Sequence, residues 1–197
     1  MPHHHPRKHQ GEFISLVIII LVTFVYRFQH LFSVPGMEGF NMTILFTAIA
    51  GFTGVLGLYF LTRLMFNWQI AAIASFLMAV SVWHTTFSRI QFSPAIITST
   101  LFVWALYFWF RGKQTSHLVP FIFSGVLTGL AMHISTGFWF MPIVVFIIFL
   151  VYFTALRKDY SDEKYNLTMH QLSRGVTAWF VSLIIVVLPI IWSVVMD

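Results

Sequence analysis

Long apolar runs separated by short polar connections make up most of this chain. A hydrocarbon core of about 30 Å requires roughly 20 helical residues, and most of the runs approach that length. The pattern predicts seven membrane-spanning helices, at residues 13–32, 43–65, 69–83, 95–110, 118–134, 138–156 and 176–195. Residues 1–12 are predicted to be a basic cytoplasmic tail, and 13–197 a transmembrane helical domain. We therefore predict an all-α fold, a polytopic transmembrane helix bundle.

The composition excludes an ordinary soluble domain. Hydrophobic residues make up 58% of the 197 positions, and charged residues only 9%, which is far from the average of soluble proteins. The chain has no cysteine, so neither a disulfide framework nor a thiolate metal site can form. The net charge of +5 comes from basic residues in short connections rather than on one solvated patch, which argues against a nucleic-acid partner.

The lysines and arginines indicate the orientation of the chain in the membrane. With a cytoplasmic N-terminus, nine of the 11 basic residues fall in cytoplasmic segments, and only Arg27 and Arg89 lie outside. The opposite orientation would invert this distribution, against the positive-inside rule. The sequence thus predicts a multi-pass protein of the inner (plasma) membrane, in contact with membrane lipid and with a cytoplasmic N-terminus.

The stretch 82–94, Val-Trp-His-Thr-Thr-Phe-Ser-Arg-Ile-Gln-Phe-Ser-Pro, interrupts the apolar pattern with polar groups. A charged side chain at membrane depth costs about 2.5–3.5 kcal/mol unless it faces a cavity, a partner or the interface. The third predicted span would also be only about 22 Å long. Either residues 66–68 enter the membrane or residues 84–87 continue the helix outward. Pro94 is suited to the first turn of the next helix. The stretch is therefore a predicted binding site.

Several basic and polar side chains are predicted to lie near the outer face of the membrane. Arg89 can bind a phosphate through paired hydrogen bonds, and His84 and Ser88 can add donors. Alternatively, Arg89 extends to lipid headgroups and His84 caps a helix. Arg27 and His133 lie at the outer ends of the first and fifth predicted spans. Alternatively, Arg27 anchors its helix at the membrane interface and His133 is a packing residue. Because these side chains and Arg89 all lie on the outer side, the sequence predicts one polar cleft there.

A set of short runs resembles bacterial membrane glycosyltransferases of the GT-C fold, in the superfamily of protein mannosyltransferases and aminoarabinose transferases. The runs are residues 54–63, 67–76, 79–84, 87–89, 101–112, 124–135 and 158–161. The most specific element is Trp83-His84 followed by Phe87-Ser88-Arg89. The resemblance implies a partial GT-C-like transmembrane domain that transfers a sugar from a polyprenyl-phosphate donor to an acceptor on the outer face. It also implies that Arg89, with His84 and Arg27, stabilises the departing lipid phosphate.

The resemblance further implies a long outer loop with an acidic residue between the first two spans. Here only residues 33–42 join those spans, and Glu38 is their sole carboxylate. Similar enzymes also continue with more helices after the position at which this chain ends. We therefore predict a truncated or internally deleted member. Glu38 is then either the catalytic carboxylate or a linker residue, and whether this chain is active is left open.

Two functions of other classes compete with a glycosyltransferase. A small permease or lipid-translocating bundle would place broken helices and polar groups at the bilayer midplane, whereas the polar groups here collect near the outer rim. A non-catalytic scaffold subunit would use its glycine-rich helix faces to contact partner helices. No cofactor is predicted, and no metal ligands, because the chain has no paired carboxylates with ligand spacing. Neither dependence on a divalent metal nor the oligomeric state follows from the sequence.

Overall fold

A computed structural model describes residues 6–29, 42–89, 92–135, 140, 143–144, 146–147, 150–151 and 162–196. Every regular element among these residues is helical. The helices with defined bounds are α1 (Pro6–Phe28), α2 (Met42–Met65), α3 (Trp68–Val80), α4 (Val82–Ser88), α5 (Pro94–Thr115), α6 (Leu118–Ile134) and α7 (Asp162–Met196). The chain divides into two compact units, Met1–Val103 and Trp104–Asp197.

In the described part of the chain, four helical segments are long and apolar enough to cross a membrane: Gln10–Phe28, Met42–Met65, Pro94–Thr115 and Leu172–Pro189. The pair α3 and α4 forms a fifth candidate, bent by 59°. The fifth predicted span corresponds to α6, which is apolar but has only 17 residues. Most of the sixth, 138–156, lies outside the described residues. The predicted all-α polytopic bundle is confirmed, with four to five candidate spans in the described part of the chain.

Helix α1 exposes several large apolar side chains and buries two polar ones near its end. On α1, Phe13, Leu21 and Phe24 are 67%, 57% and 54% exposed, whereas Thr23 and Arg27 are fully buried. A helix of a water-soluble protein shows the opposite distribution, with its polar side outward. This arrangement is typical of a helix that faces lipid on one side and a polar protein interior on the other.

Helix α1 begins at Pro6 and so includes residues that the sequence pattern places in the basic tail. Glu12 accepts hydrogen bonds from Nε of Arg63 at 2.6 Å and from its Nη2 at 3.3 Å. Gly11 lies so close to Trp68 that a Cβ would be 3.3 Å from the ring. These contacts hold the start of α1 against the end of α2 and the start of α3, which accounts for the longer helix.

The contacts between α1 and α2 show that the two helices are antiparallel. Glu12 pairs with Arg63, near the start of one helix and the end of the other, whereas Arg27 packs against Gly51. Between these ends lies an apolar core of Ile19, Val55, Tyr59, Ala71 and Ala79. The polar residues of the predicted site are therefore at the end of the unit away from the Glu12–Arg63 ion pair.

The second unit is held together by the parallel packing of α6 on α7. Trp109, Phe121 and Trp179 form its aromatic centre, with edge-to-face ring centroids 5.3 Å and 5.5 Å apart. Gly129 of α6 lies against Val186 of α7, whose Cβ would be 2.8 Å from a Cβ at the glycine. Without a side chain at position 129, the two helices can approach closely enough for dispersion contacts to hold them together in lipid.

Candidate functional site

A fully buried arginine lies at the centre of the candidate site. Arg27 is in the last turn of α1 and has 0% of its side chain exposed. Its Nη2 donates a hydrogen bond to Nδ1 of His84 on α4, and its Nη1 lies 3.5 Å from the carbonyl oxygen of Thr23. A buried cation is costly unless hydrogen bonds or an anion compensate for the water that it loses.

A bend in the chain brings His84 to this arginine. Helix α3 ends at Val80 and α4 begins at Val82, with Ser81 between them in a non-helical conformation (φ −59°, ψ 122°). The bend frees carbonyl groups at the end of α3. The hydroxyl of Thr85 donates to one of them, the carbonyl oxygen of Ala79, at 3.3 Å. Non-helical backbone at membrane depth persists only where such groups are satisfied by protein or water.

Two glycines of α2 allow the other helices to approach it. A Cβ at Gly51 would lie 2.6 Å from Cβ of Ser88 and 3.1 Å from Nε of Arg27. A Cβ at Gly54 would lie 2.6 Å from Oγ1 of Thr100 and 3.8 Å from Nε2 of His84. Gly51 and Gly54 thus form a glycine face of α2, against which the polar groups of α1, α4 and α5 pack.

The hydrogen bond between Arg27 and His84 determines which nitrogen of His84 carries the proton. A guanidinium has only donors, so Nδ1 of His84 must accept and the imidazole must be neutral, with its proton on Nε2. Within the described residues, neither this Nε2 nor Nε of Arg27 has a hydrogen-bond partner, and both are buried. Two N–H donors are therefore directed toward the glycine face of α2 without an acceptor in the described part of the chain.

The positive charge of Arg27 is also not balanced by a described carboxylate. The only ion pair within the described residues is Glu12–Arg63. Starting from Arg27, Glu12 lies 15 residues back along the same helix, or about 22 Å. An uncompensated charge attracts an anion strongly where the surroundings are of low dielectric constant. The site can thus stabilise a negative group that comes close to it.

Arg89 and Ser88 hold the end of α4 in place. Nη2 of Arg89 donates to the carbonyl oxygen of Gln29 at 2.8 Å, which ties the end of α4 to the end of α1. Ser88 is fully buried, and its hydroxyl donates to the carbonyl oxygen of Thr85 at 2.8 Å. Arg89 is half-buried rather than enclosed, so this second cation lies near the surface of the site.

An open cavity of about 460 Å³ adjoins His84. The rings of Trp83 and Phe87 stack beside it with centroids 5.3 Å apart, and Trp83 is 76% exposed. Its lining is mostly apolar: Leu77, Met78, Ser81, Trp83, His84, Phe87, Ala95 and Ile96. The cavity offers an apolar surface next to the polar groups, as a ligand with a hydrocarbon chain and a polar head would require.

The structure brings together four of the predicted site residues: Arg27, His84, Ser88 and Arg89. His133 belongs to the second unit, where its Nε2 lies 2.6 Å from the carbonyl oxygen of Val186. Glu38 falls outside the described residues. No cluster of histidine and acidic side chains suited to a metal ion occurs in the described part of the chain.

Sequence reasoning missed the glycine face and the threonines of the site. Gly51 and Gly54 belong to the glycine-rich helix faces, for which the sequence predicts only contacts with other helices, and it predicts no role for Thr23 or Thr100. Thr100 donates to the carbonyl oxygen of Ala50 at 2.9 Å. The spacing of the glycines was the available signal, but it does not show which polar groups lie opposite them.

A family model described as dolichyl-phosphate-mannose-protein mannosyltransferase matches residues 20–192, which include α2 to α6 and the whole candidate site. The chain belongs to this family. Membership confirms the predicted resemblance to GT-C-like mannosyltransferases and makes the chain a membrane protein of a glycosyltransferase family. No curated protein and no solved structure matches it.

Proposed function

We propose that this family member moves a sugar from a polyprenyl-phosphate donor to an acceptor on the outer face of the membrane. The observation that carries the proposal is the buried Arg27, hydrogen-bonded to a neutral histidine and without a carboxylate partner in the described part of the chain. The family description, which names a phosphate-linked mannose donor, supports the same chemistry.

The arrangement of cations suits the departure of a lipid phosphate. As the bond from sugar to phosphate breaks, negative charge develops on the phosphate oxygens, and preorganised cations stabilise that charge without reorganising. Arg89 and His84 are both half-buried and close enough to the surface to contact the phosphate, while Arg27, which is hydrogen-bonded to His84, is fully buried. The apolar cavity lined by Trp83 and Phe87 is placed to receive the first part of a prenyl chain.

The depth of the site supports the outer face. If the Glu12–Arg63 pair marks the cytoplasmic interface, as the positive-inside distribution predicts, Arg27 lies about 22 Å farther along α1. In a hydrocarbon core of about 30 Å, this position is below the outer boundary and within reach of it. A donor phosphate in the outer headgroup region can approach the site from there.

The permease alternative depends on the position of the helix break. A transporter would carry the break near the bilayer midplane. Here α3 runs for 13 residues before the bend, or about 20 Å. If α3 begins at the cytoplasmic interface, as the predicted topology requires, the break lies beyond the middle of the membrane on the side of the polar site, which favours a surface-facing transferase over a central transport site.

Acceptor activation is a separate step from donor binding. Transfer requires a group that orients or deprotonates the acceptor hydroxyl. Glu38 is the sole carboxylate of the predicted outer connection 33–42, and we assign this role to it as part of the proposal. Because the two steps use different residues, donor binding can be measured independently of transfer.

The test uses the full chain in lipid nanodiscs with a radiolabelled polyprenyl-phosphate mannose. Donor binding, donor hydrolysis and transfer to a peptide or lipid acceptor are measured for the intact chain and for Arg89→Ala. Losing one charge-assisted contact should weaken donor binding about tenfold or more. Arg63→Ala, which removes an arginine at the other end of the first unit, is the matched control and should bind normally. Equal binding by all three proteins would contradict the proposal.

A further inference from the structure

A second cavity, of about 580 Å³, lies in the second unit where the turn from α5 to α6 meets α7. Its lining combines a polar and an apolar part: Arg111, Thr115, Ser116, His117, Leu118, Val119, Pro120 and Arg174. None of these residues belongs to the candidate site in the first unit.

Two arginines from different helices converge on this cavity. Arg111 comes from the last two turns of α5, and Arg174 from the start of the apolar segment Leu172–Pro189. Nη1 of Arg111 donates to the phenol oxygen of Tyr107 at 2.5 Å, and its guanidinium carbon lies 5.7 Å from the centre of that ring. The tyrosine thus restricts the position of Nη1 of Arg111, and the other two guanidinium nitrogens can donate hydrogen bonds to a ligand.

No described carboxylate neutralises these two cations. Neither arginine takes part in an ion pair within the described part of the chain. Asp162 and Glu163 begin the same helix as Arg174, but they precede it by about 17 Å along the helix axis. The two positive charges in one cavity repel each other, and a bound anion would attract both arginines and so offset their repulsion.

The position of the cavity indicates where such an anion would come from. Pro94–Thr115 ends beside it and Leu172–Pro189 begins beside it, and both are long and apolar enough to cross a membrane. The ends of such helices lie at the level of the lipid headgroups. Leu118, Val119 and Pro120 add an apolar wall, against which the upper part of an acyl chain can lie.

We propose that this cavity binds the phosphate group of a membrane-lipid headgroup between Arg111 and Arg174. Guanidinium groups bind phosphate oxygens through two parallel hydrogen bonds, and a single phosphate can accept from two arginines at once. Ser116 and His117 line the same cavity and can supply further hydrogen-bond donors.

The experiment measures lipids retained by the full chain in native mass spectrometry, after reconstitution with phosphatidylglycerol or with the phosphate-free lipid diacylglycerol. The double variant Arg111→Gln/Arg174→Gln should retain about thirtyfold less phosphatidylglycerol than the intact chain, since each of the two basic residues near the surface contributes about 1 kcal/mol. Diacylglycerol retention should not change. Lys113→Gln removes a neighbouring charge that does not line the cavity and serves as the matched control.

A second variant keeps both arginines in place. Val119 is 60% exposed, so Val119→Glu adds a carboxylate to the cavity without disturbing a core and should also displace phosphatidylglycerol. Retention equal to that of Lys113→Gln in both variants would overturn the proposal. If inorganic phosphate binds the intact chain and displaces the lipid at similar concentrations, a soluble phosphate compound is the ligand and the assignment to lipid is wrong.

Discussion

Nη2 of Arg27 on α1 donates a hydrogen bond to Nδ1 of His84 on α4, joining two residues that are 57 positions apart. Because the guanidinium can only donate, this contact keeps the imidazole neutral and directs its remaining N–H toward Gly54. The two side chains therefore act as one unit, in which a change to either alters the hydrogen-bonding state of the other.

Arg27→Met separates the binding role of the arginine from its structural role. Methionine fills a similar volume without charge. It removes the cost of a buried cation that no described carboxylate neutralises, but it leaves Nδ1 of His84 without a donor, at a cost of about 1–3 kcal/mol. Because these two effects oppose each other, we expect the free energy of unfolding to change by no more than about 2 kcal/mol, while affinity for polyprenyl phosphate falls about tenfold or more. Thermal unfolding in detergent and a lipid-phosphate binding assay measure the two effects. A large loss of stability with unchanged affinity would show a purely structural arginine.

His84→Phe should be more damaging to stability than Arg27→Met. It leaves the buried Arg27 without its acceptor, at a cost of about 3 kcal/mol. In the double variant Arg27→Met/His84→Phe the unpaired cation is gone, so the combined loss should be smaller than the sum of the single losses by about 1–3 kcal/mol. Denaturant titrations of all four proteins measure this coupling. Strict additivity would contradict the hydrogen bond between the two residues.

Gly51→Ala should disturb the site through a steric clash. The added Cβ would lie 2.6 Å from Cβ of Ser88, and overpacking of this kind costs about 1–3 kcal/mol. Ser88→Gly in the same background should recover part of the loss, because it removes the atom that clashes. Gly11→Ala is the control, since its Cβ would meet only the edge of Trp68, at 3.3 Å. The thermal midpoints of these variants rank the effects, and a Gly51→Ala protein as stable as Gly11→Ala would refute the close approach.

The absence of cysteine makes the orientation directly measurable. Phe92 is 52% exposed and precedes α5, and Thr115 is exposed at its last position. In intact cells, a membrane-impermeant maleimide should label Phe92→Cys, and it should label Thr115→Cys only after the membrane is opened. The reverse pattern would place the candidate site on the cytoplasmic side and contradict the proposed outer-face reaction.

The sequence predicted the helices better than their contacts. The run at 43–65 corresponds to α2 (Met42–Met65), and Pro94 begins α5 as its fixed backbone angle favours. Apolar runs of membrane length are local signals, so they can be located without knowing what lies beside them. Of the two explanations for the short third span, the structure favours continuation beyond residue 83, since α4 runs from Val82 to Ser88.

The site was predictable only in part, for a physical reason. His84, Ser88 and Arg89 were found because polar groups are rare among apolar residues and therefore conspicuous. The burial of Arg27 and the bend at Ser81 were not, because both depend on contacts between residues far apart in the chain. Whether these residues bind a phosphate stays a prediction.

The two ends of α1 make contacts that depend on the same helix length. Glu12 pairs with Arg63, and Arg27 fits against Gly51. One residue inserted between positions 12 and 27 would rotate everything beyond it by about 100° and shift it by about 1.5 Å. Arg27 would then point toward lipid while the Glu12 end stayed in place. The spacing between these two residues is thus as much a requirement of the site as the identity of the arginine.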